Sequence, residues 1–302
     1  MYDIYDLANQ NKGYLLTCYE GCCTCIENAR LQDFEAHLRD KGELTVATFS
    51  GFAFQNIQDG QIYCTGRDSD KEGKERDLTL SSILQKGVYL NAYECIENEA
   101  QRRVHMGKLW EVREKFDGIF NYGKKFKYLC FNNGQLGVPA FGDFTLAFPL
   151  SHFEDRNLVF VKYNSLILKE NGNPQRLYFT ENNEAIALET LTQDLATLEH
   201  FVPLIVVKRK EDLTNDMDVD YNLLVLKPFA DTSTKHRDYV EAITWQEVKI
   251  QTGVRLRAEK ERFQSIFDAV SDLDREAEPM IKNLKELYEL INTTLITTEY
   301  GY

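Results

Sequence analysis

The chain has 302 residues with 48 acidic against 35 basic side chains, a formal net charge of -13 and a pI near 5.0. This length fits one large domain or two modest ones, and 43% hydrophobic with 27% charged residues is the composition of a soluble globular protein. So acidic a surface repels phosphate backbones, which excludes broad non-specific nucleic-acid binding and leaves only a local basic cleft, over 101–127 or at "VVKRK" (206–210).

In chain order, "MYDIYDLANQNKG" is polar and acidic, unlike a secretory leader. No run of about 18 apolar residues follows anywhere. A cytoplasmic location is therefore expected, with all seven cysteines as reduced thiols. The first 40 residues read as a mixed strand–helix unit. Within them "TCYEGCCTCIE" holds Cys18, Cys22, Cys23 and Cys25. The C-x-x-C spacing of Cys22 and Cys25 is that of a metal knuckle, but a structural zinc site joins two separated knuckles. Here Cys64, Cys95 and Cys130 are isolated and no H-x-x-x-H occurs, so buried thiols near a turn are the favoured reading and no metal is expected.

"IENARLQDFEAHLRDKG" has helical spacing in Ala29, Phe34 and Leu38, with Gly42 as its stop. "ELTVATFSGFAFQNI" and "GQIYCTG" read as strands joined at "QDG", and "RDSDKEGKERD" as a solvated loop. A short helix with Leu80, Ile83 and Leu84 ends at Gly87. A second, over 97–116, carries the stripe Val104, Leu109, Val112 and Phe116. "FKYLCFN", "FTLAFPL", "LVFVKYNSLIL", "QRLYF", "LLVLKPF" and "DYVEAITWQEVKI" are strand-like, and "EAIALETLTQDLATLEHF" is a helix candidate. Beyond Gly253, Phe263, Ile266, Phe267, Val270 and Leu273 follow helical spacing, as do Ile281, Leu284, Leu287, Tyr288 and Ile291 after a break at Pro279. The expected architecture is α+β: a mixed or antiparallel sheet core over 1–252 and a helical hairpin over 253–302. The hairpin's apolar stripes are covered either by the chain's own sheet or by a partner through the 255–292 helices.

Glu241 and Glu247 differ by six, so on one continuous strand they share a face with Ile243 and Trp245. Such a face suits a cleft floor or an open surface under the tryptophan. His236 and Arg237 precede it, and a histidine there is an acid/base candidate or a solvated loop residue. Ser151 and His152 are adjacent in sequence, so their side chains diverge on a strand and form no nucleophile–base pair. "GRDSDKEGK" lacks the register of a phosphate-binding loop.

Several short segments, taken in order, resemble the abortive-infection AbiGi-type phage-resistance proteins of bacteria. They are "SILQKGVYLNAYE" (82–94), Pro149-Leu150-Ser151-His152, Tyr163-Asn164, Asn173-Pro174 with Tyr178, Lys227-Pro228-Phe229, and Glu241 with Trp245. Asn164 stands where that family has glycine, and Gln246 where it has arginine. "ILQKGVYLNAYE", "KYLCFNNGQLGVPAFGDFTLAFP", "VFVKYNSLI" and "YVEAITWQEVKI" are also similar to pieces of the NAD-dependent mono-ADP-ribosyltransferase-like fold. These resemblances imply an antiphage effector with NAD as cofactor. Glu241 would be the late-strand catalytic glutamate, with Glu247 second and His236 as acid/base. Arg67, Tyr89, Ser151 and His152 would serve the cofactor. The alternative they leave open is a non-catalytic sensor or antitoxin-like subunit of a defence complex.

Overall fold

The computed structural model describes residues 1–48, 80–95, 99–100, 102, 109–138, 142–165, 167–170, 173–177, 184–215, 219–228, 237–261, 263–264, 279–293 and 297–300. The helices are α1 (Ile4–Gln10), α2 (Lys12–Cys23), α3 (Asn28–Lys41), α4 (Leu80–Lys86), α5 (Ala92–Cys95), α6 (Leu109–Gly118), α7 (Glu184–Gln193), α8 (Phe201–Lys208), α9 (Lys210–Asn215), α10 (Tyr221–Val225) and α11 (Pro279–Thr293). The strands are β1 (Glu43–Thr48), β2 (Val88–Tyr89), β3 (Lys127–Asn132), β4 (Phe144–Pro149), β5 (Leu158–Val161), β6 (Ile167–Glu170) and β7 (Asn173–Leu177). They continue with β8 (Leu195–Thr197), β9 (Lys227–Pro228), β10 (Arg237–Asp238), β11 (Glu241–Thr244), β12 (Val248–Lys249), β13 (Arg255–Ala258) and β14 (Thr297–Tyr300). The chain is α+β and forms two compact units: one of 1–44, 99–134 and 150–246, the other of 45–98, 135–149 and 247–302.

In the first unit β3, β11, β5 and β8 are successive antiparallel neighbours. Strand alternation sends Glu241 and Ile243 to one face and Ala242 and Thr244 to the other. The Ile243 face, with Val159 and Val161, meets Ile4 and Ala8 of α1, Phe116 of α6 and Leu191 of α7 in one buried cluster. On the opposite face Phe131 and Phe160 pack on Phe201 of α8, each with ring centroids 5.3 Å apart. Burial of these side chains on both faces is the main driving force for the unit, on the order of 2 kcal/mol for each large apolar side chain. Gly42 follows α3 in extended backbone, and the position needs a glycine because a Cβ there would lie 2.4 Å from the Leu38 carbonyl oxygen and 3.0 Å from the Phe131 ring.

In the second unit β13 runs antiparallel to β4 and parallel to β14, so its sheet is mixed. β12 pairs with β2, and α11 packs with α4. Pro279 is the first residue of α11, where its missing N–H has no intrahelical partner to lose. Leu287 and Ile291 of the expected stripe are buried within this unit. Of the expected helical hairpin, Phe263 and α11 are described and 265–278 lie outside the described residues, as do "GQIYCTG" and "RDSDKEGKERD".

Several expectations are corrected. The first 40 residues form three helices rather than a strand–helix unit, and Leu31 rather than exposed Ala29 joins Phe34 and Leu38 on the buried face of α3. "EAIALETLTQDLATLEHF" is not one helix: the Asp194 N–H closes on the Leu191 carbonyl, and Leu195–Thr197 leaves to pair with β5. "LVFVKYNSLIL" breaks at 162–165, where the Lys162 N–H goes to the Asp194 carbonyl and the Ser165 N–H to Glu241. Much of "LLVLKPF" is the end of α10, capped at its start by Asp220. Gly253 leads into β13, a strand where helix was expected.

Candidate functional site

Glu241 opens β11, between Cys130 of β3 and Val161 of β5. Its side chain shares the face covered by α6, and only 3% of the residue is exposed. The Ser165 N–H donates to its Oε2 at 2.8 Å. Arg113, 8% exposed, comes from α6 and donates from Nη1 to Ser165 Oγ at 2.9 Å. The Arg113 guanidinium lies 3.4 Å from the centroid of the Tyr128 ring. The Tyr128 hydroxyl in turn donates to Asp117 Oδ1, one helical turn along α6 from Arg113.

A half-buried rim continues from this centre. Asn164 donates from Nδ2 to the Tyr239 hydroxyl at 2.8 Å. Lys208, at the end of α8, donates to the carbonyls of Lys162 and Tyr239, both at 2.6 Å, and pairs with Asp238 at 2.9 Å. Its Nζ sits 4.8 Å from the Tyr163 ring centroid, and Arg209 holds the other Asp238 oxygen at 2.8 Å. One end of the sheet is thus pinned by side chains from α6, the 162–165 turn, α8 and the 238–241 segment.

Burial dominates the electrostatics. It pushes the Glu241 carboxyl above its ordinary 4.5, while the Arg113 charge and the hydrogen bonds from Ser165 pull it down without cancelling the rise. Burial also works against the Arg113 cation, but Tyr128, Glu241 and Asp117 outweigh it and hold the guanidinium charged. The phenols of Tyr128 and Tyr239 are raised, first by burial and then by neighbouring charges, and Tyr163 is pushed up to about 12 for the same reasons. The arrangement is a buried carboxylate beside a fixed cation, with neutral phenols as hydrogen-bonding groups. Chemically, such a set stabilises positive charge at Glu241 and orients hydroxyl or amide groups at the rim.

The expected site residues do not all gather here. Glu247 does not share a strand face with Glu241, because the segment breaks at Trp245–Glu247 into β11 and β12. The Trp245 N–H turns to the Asn157 carbonyl and Gln246 Nε2 to the His152 carbonyl. Glu247 belongs to the second unit, is exposed, and pairs with Lys249 at 3.0 Å. Tyr89 is half-buried in β2 of that same unit, opposite Val248. Ser151 is exposed and His152 half-buried; both lie in a 3-10 turn (Leu150–His152), not on a strand. Trp245 packs on Phe126, ring centroids 5.9 Å apart. Arg67 and His236 lie outside the described residues. Among the described residues no group of three or more His, Cys, Asp or Glu side chains is arranged to hold a metal ion.

Arg113, Tyr128, Asp117, Ser165 and Tyr239 were not singled out by sequence. The signal for Arg113 was in the helix: the buried positions of α6 include Trp110, Arg113, Phe116 and Asp117, a 3–4 spacing that runs beside the expected Leu109–Val112–Phe116 stripe. A cation and an acid on the inward face of a helix announce a polar centre. No family model, curated protein or solved structure matches this chain.

Proposed function

We propose that this protein is a bacterial antiphage effector of the abortive-infection kind, and that Glu241 is the carboxylate of an NAD-dependent ADP-ribosyltransferase-like reaction on a protein or nucleic-acid target. The observation that carries the reading is the interior carboxylate itself. Burial raises the proton affinity of Glu241 beyond what Arg113 and Ser165 compensate, so its charge is held at a cost to folding. Groups kept at such a cost are characteristic of sites selected for chemistry rather than stability. Two motif segments of the resemblance, Tyr163-Asn164 and Glu241, also meet in this one cluster.

NAD would supply a ribosyl group whose bond to nicotinamide breaks with positive charge developing on the sugar. Glu241 is the residue of this chain suited to stabilise that charge. Arg113 holds the Ser165 hydroxyl, and the Ser165 N–H fixes the Glu241 carboxylate. The phenols of Tyr128 and Tyr239, neutral at physiological pH, are hydrogen-bonding groups beside it.

The second reading is a binding subunit of a defence complex, and it is favoured by the 3% exposure of Glu241, which leaves little carboxylate surface for a substrate. Its partner would use the outward side of the 255–292 region, where Glu286, Glu289 and Asn292 of α11 are exposed and acidic or polar. The two readings separate in one experiment. Wild type and Glu241→Gln are compared for NAD consumption and macromolecule labelling, with and without phage-infected lysate, alongside their melting temperatures. Activity in wild type and its loss in a fully folded Glu241→Gln supports the effector. Absence of turnover from both proteins in every lysate removes the enzyme and leaves the binding subunit.

A further inference from the structure

The four cysteines at the end of α2 are unused by the site described above. Cys18 and Cys22 lie on the helix, Cys22 with 2% exposure, while Cys23 and Cys25 are exposed where the helix ends. The end is a tight turn: the Cys25 N–H donates to the Cys22 carbonyl at 2.9 Å and the Ile26 N–H to the same oxygen at 3.0 Å. A turn closed by an i to i+3 hydrogen bond keeps its end Cα atoms within about 7 Å, which overlaps the roughly 4.4–6.8 Å that a disulfide spans. Cys18 and Cys23 neighbour the phenols of Tyr14 and Tyr19, and Cys25 Sγ lies 3.7 Å from Thr24 Oγ1 at the surface.

We propose that Cys22 and Cys25 are a reversible oxidation site, closing an intramolecular disulfide across the end of α2 when the chain meets a small-molecule disulfide such as oxidised glutathione. Cys25 is the attacking thiol because it is exposed; Cys22, buried and pushed up by that burial, is the poorer nucleophile and the resolving partner. The Cys25 thiolate attacks one glutathione sulfur, forms a mixed disulfide and releases a glutathione thiolate. The Cys22 thiolate then attacks the Cys25 sulfur and expels the second. Two cysteine thiols are oxidised, one glutathione disulfide is reduced to two glutathione thiols, and the two protons pass to them. Closing the bond draws Cys22 from the core, at the end of the helix that packs on α8. Oxidation thereby loosens α2 from its neighbour.

Trypsin gives a direct readout, since residues 13–30 contain all four of these cysteines and no internal lysine or arginine. The full-length folded protein is treated with oxidised glutathione, remaining thiols are alkylated, and this peptide is weighed. The expected result is a peptide with two fewer alkyl groups and no glutathione, reversed by dithiothreitol. Cys23→Ser and Cys18→Ser keep that product. Cys25→Ser, an exposed and structurally mild change, abolishes it. Persistence of the bond in Cys25→Ser overturns the proposal, as does a wild-type protein that stops as a stable glutathione adduct at Cys25 or stays fully reduced.

Discussion

Arg113→Met should destabilise this protein far more than Glu241→Gln, although the two side chains belong to one buried cluster. Arg113 is the cation that Tyr128, Glu241 and Asp117 surround, and those partners more than offset its burial. Its removal leaves Asp117 and Glu241 in the interior without their cation, held only by hydrogen bonds from Tyr128 and Ser165, a change that costs about 3–5 kcal/mol in buried pairs. At about 2–4 °C per kcal/mol for a unit of this size, the melting temperature should fall by roughly 6–20 °C. Glu241→Gln keeps the shape and an acceptor for the Ser165 N–H while removing a charge whose burial is only partly compensated. Its effect should lie within about 1 kcal/mol of zero. In the double variant, the Glu241→Gln change relieves part of the Arg113→Met defect, giving a favourable coupling above about 1 kcal/mol. Urea and thermal unfolding of the four proteins measure this. A Glu241→Gln protein as unstable as Arg113→Met would refute the reasoning, because the carboxylate charge would then be holding the fold together.

The pH dependence follows from the same group. The folded state holds the Glu241 proton more tightly than the unfolded chain does, so this contribution is complete below 4.5 and is lost as pH rises through the higher folded value. The stability of wild type should therefore decline relative to Glu241→Gln over that window, and parallel pH profiles would contradict it. Burial lowers His37 and His200 below 6.5, so their contribution is complete above 6.5 and is lost as pH falls toward the folded values. A double His37→Gln, His200→Gln variant should be flatter in unfolding experiments between those limits. Asn11 donates to the carbonyls of Gln193 and Leu195 at 3.1 and 2.7 Å, so Asn11→Ala should cost about 1–3 kcal/mol by urea titration. Gly123→Ala should be severely destabilising, since its Cβ would lie 1.8 Å from the Asp117 carbonyl oxygen, whereas Gly21→Ala, with open space around it in α2, should stabilise by up to about 1 kcal/mol.

Local pattern determined the α+β class and many of its parts. Leu80, Ile83 and Leu84 with Gly87, whose φ is 67°, mark a helix and its stop, and the alternation of "FKYLCFN" and "FTLAFPL" marks strands. These are short-range properties, set by side-chain period and by glycine's access to the left-handed region. Strand alternation placed Glu241 on one face with Trp245 and left a cleft floor and an open surface equally possible; it was the resemblance that implied a role for this glutamate. Tertiary structure decided what that glutamate touches. Glu241 meets Ser165, 76 positions away, and Arg113 reaches that serine across 52, and no local period encodes such a meeting. It likewise decided that Glu247 leaves the strand. The break at Trp245–Glu247 comes from hydrogen bonds to Asn157 and His152, distant backbone groups that are invisible to a reading of "TWQEV" alone.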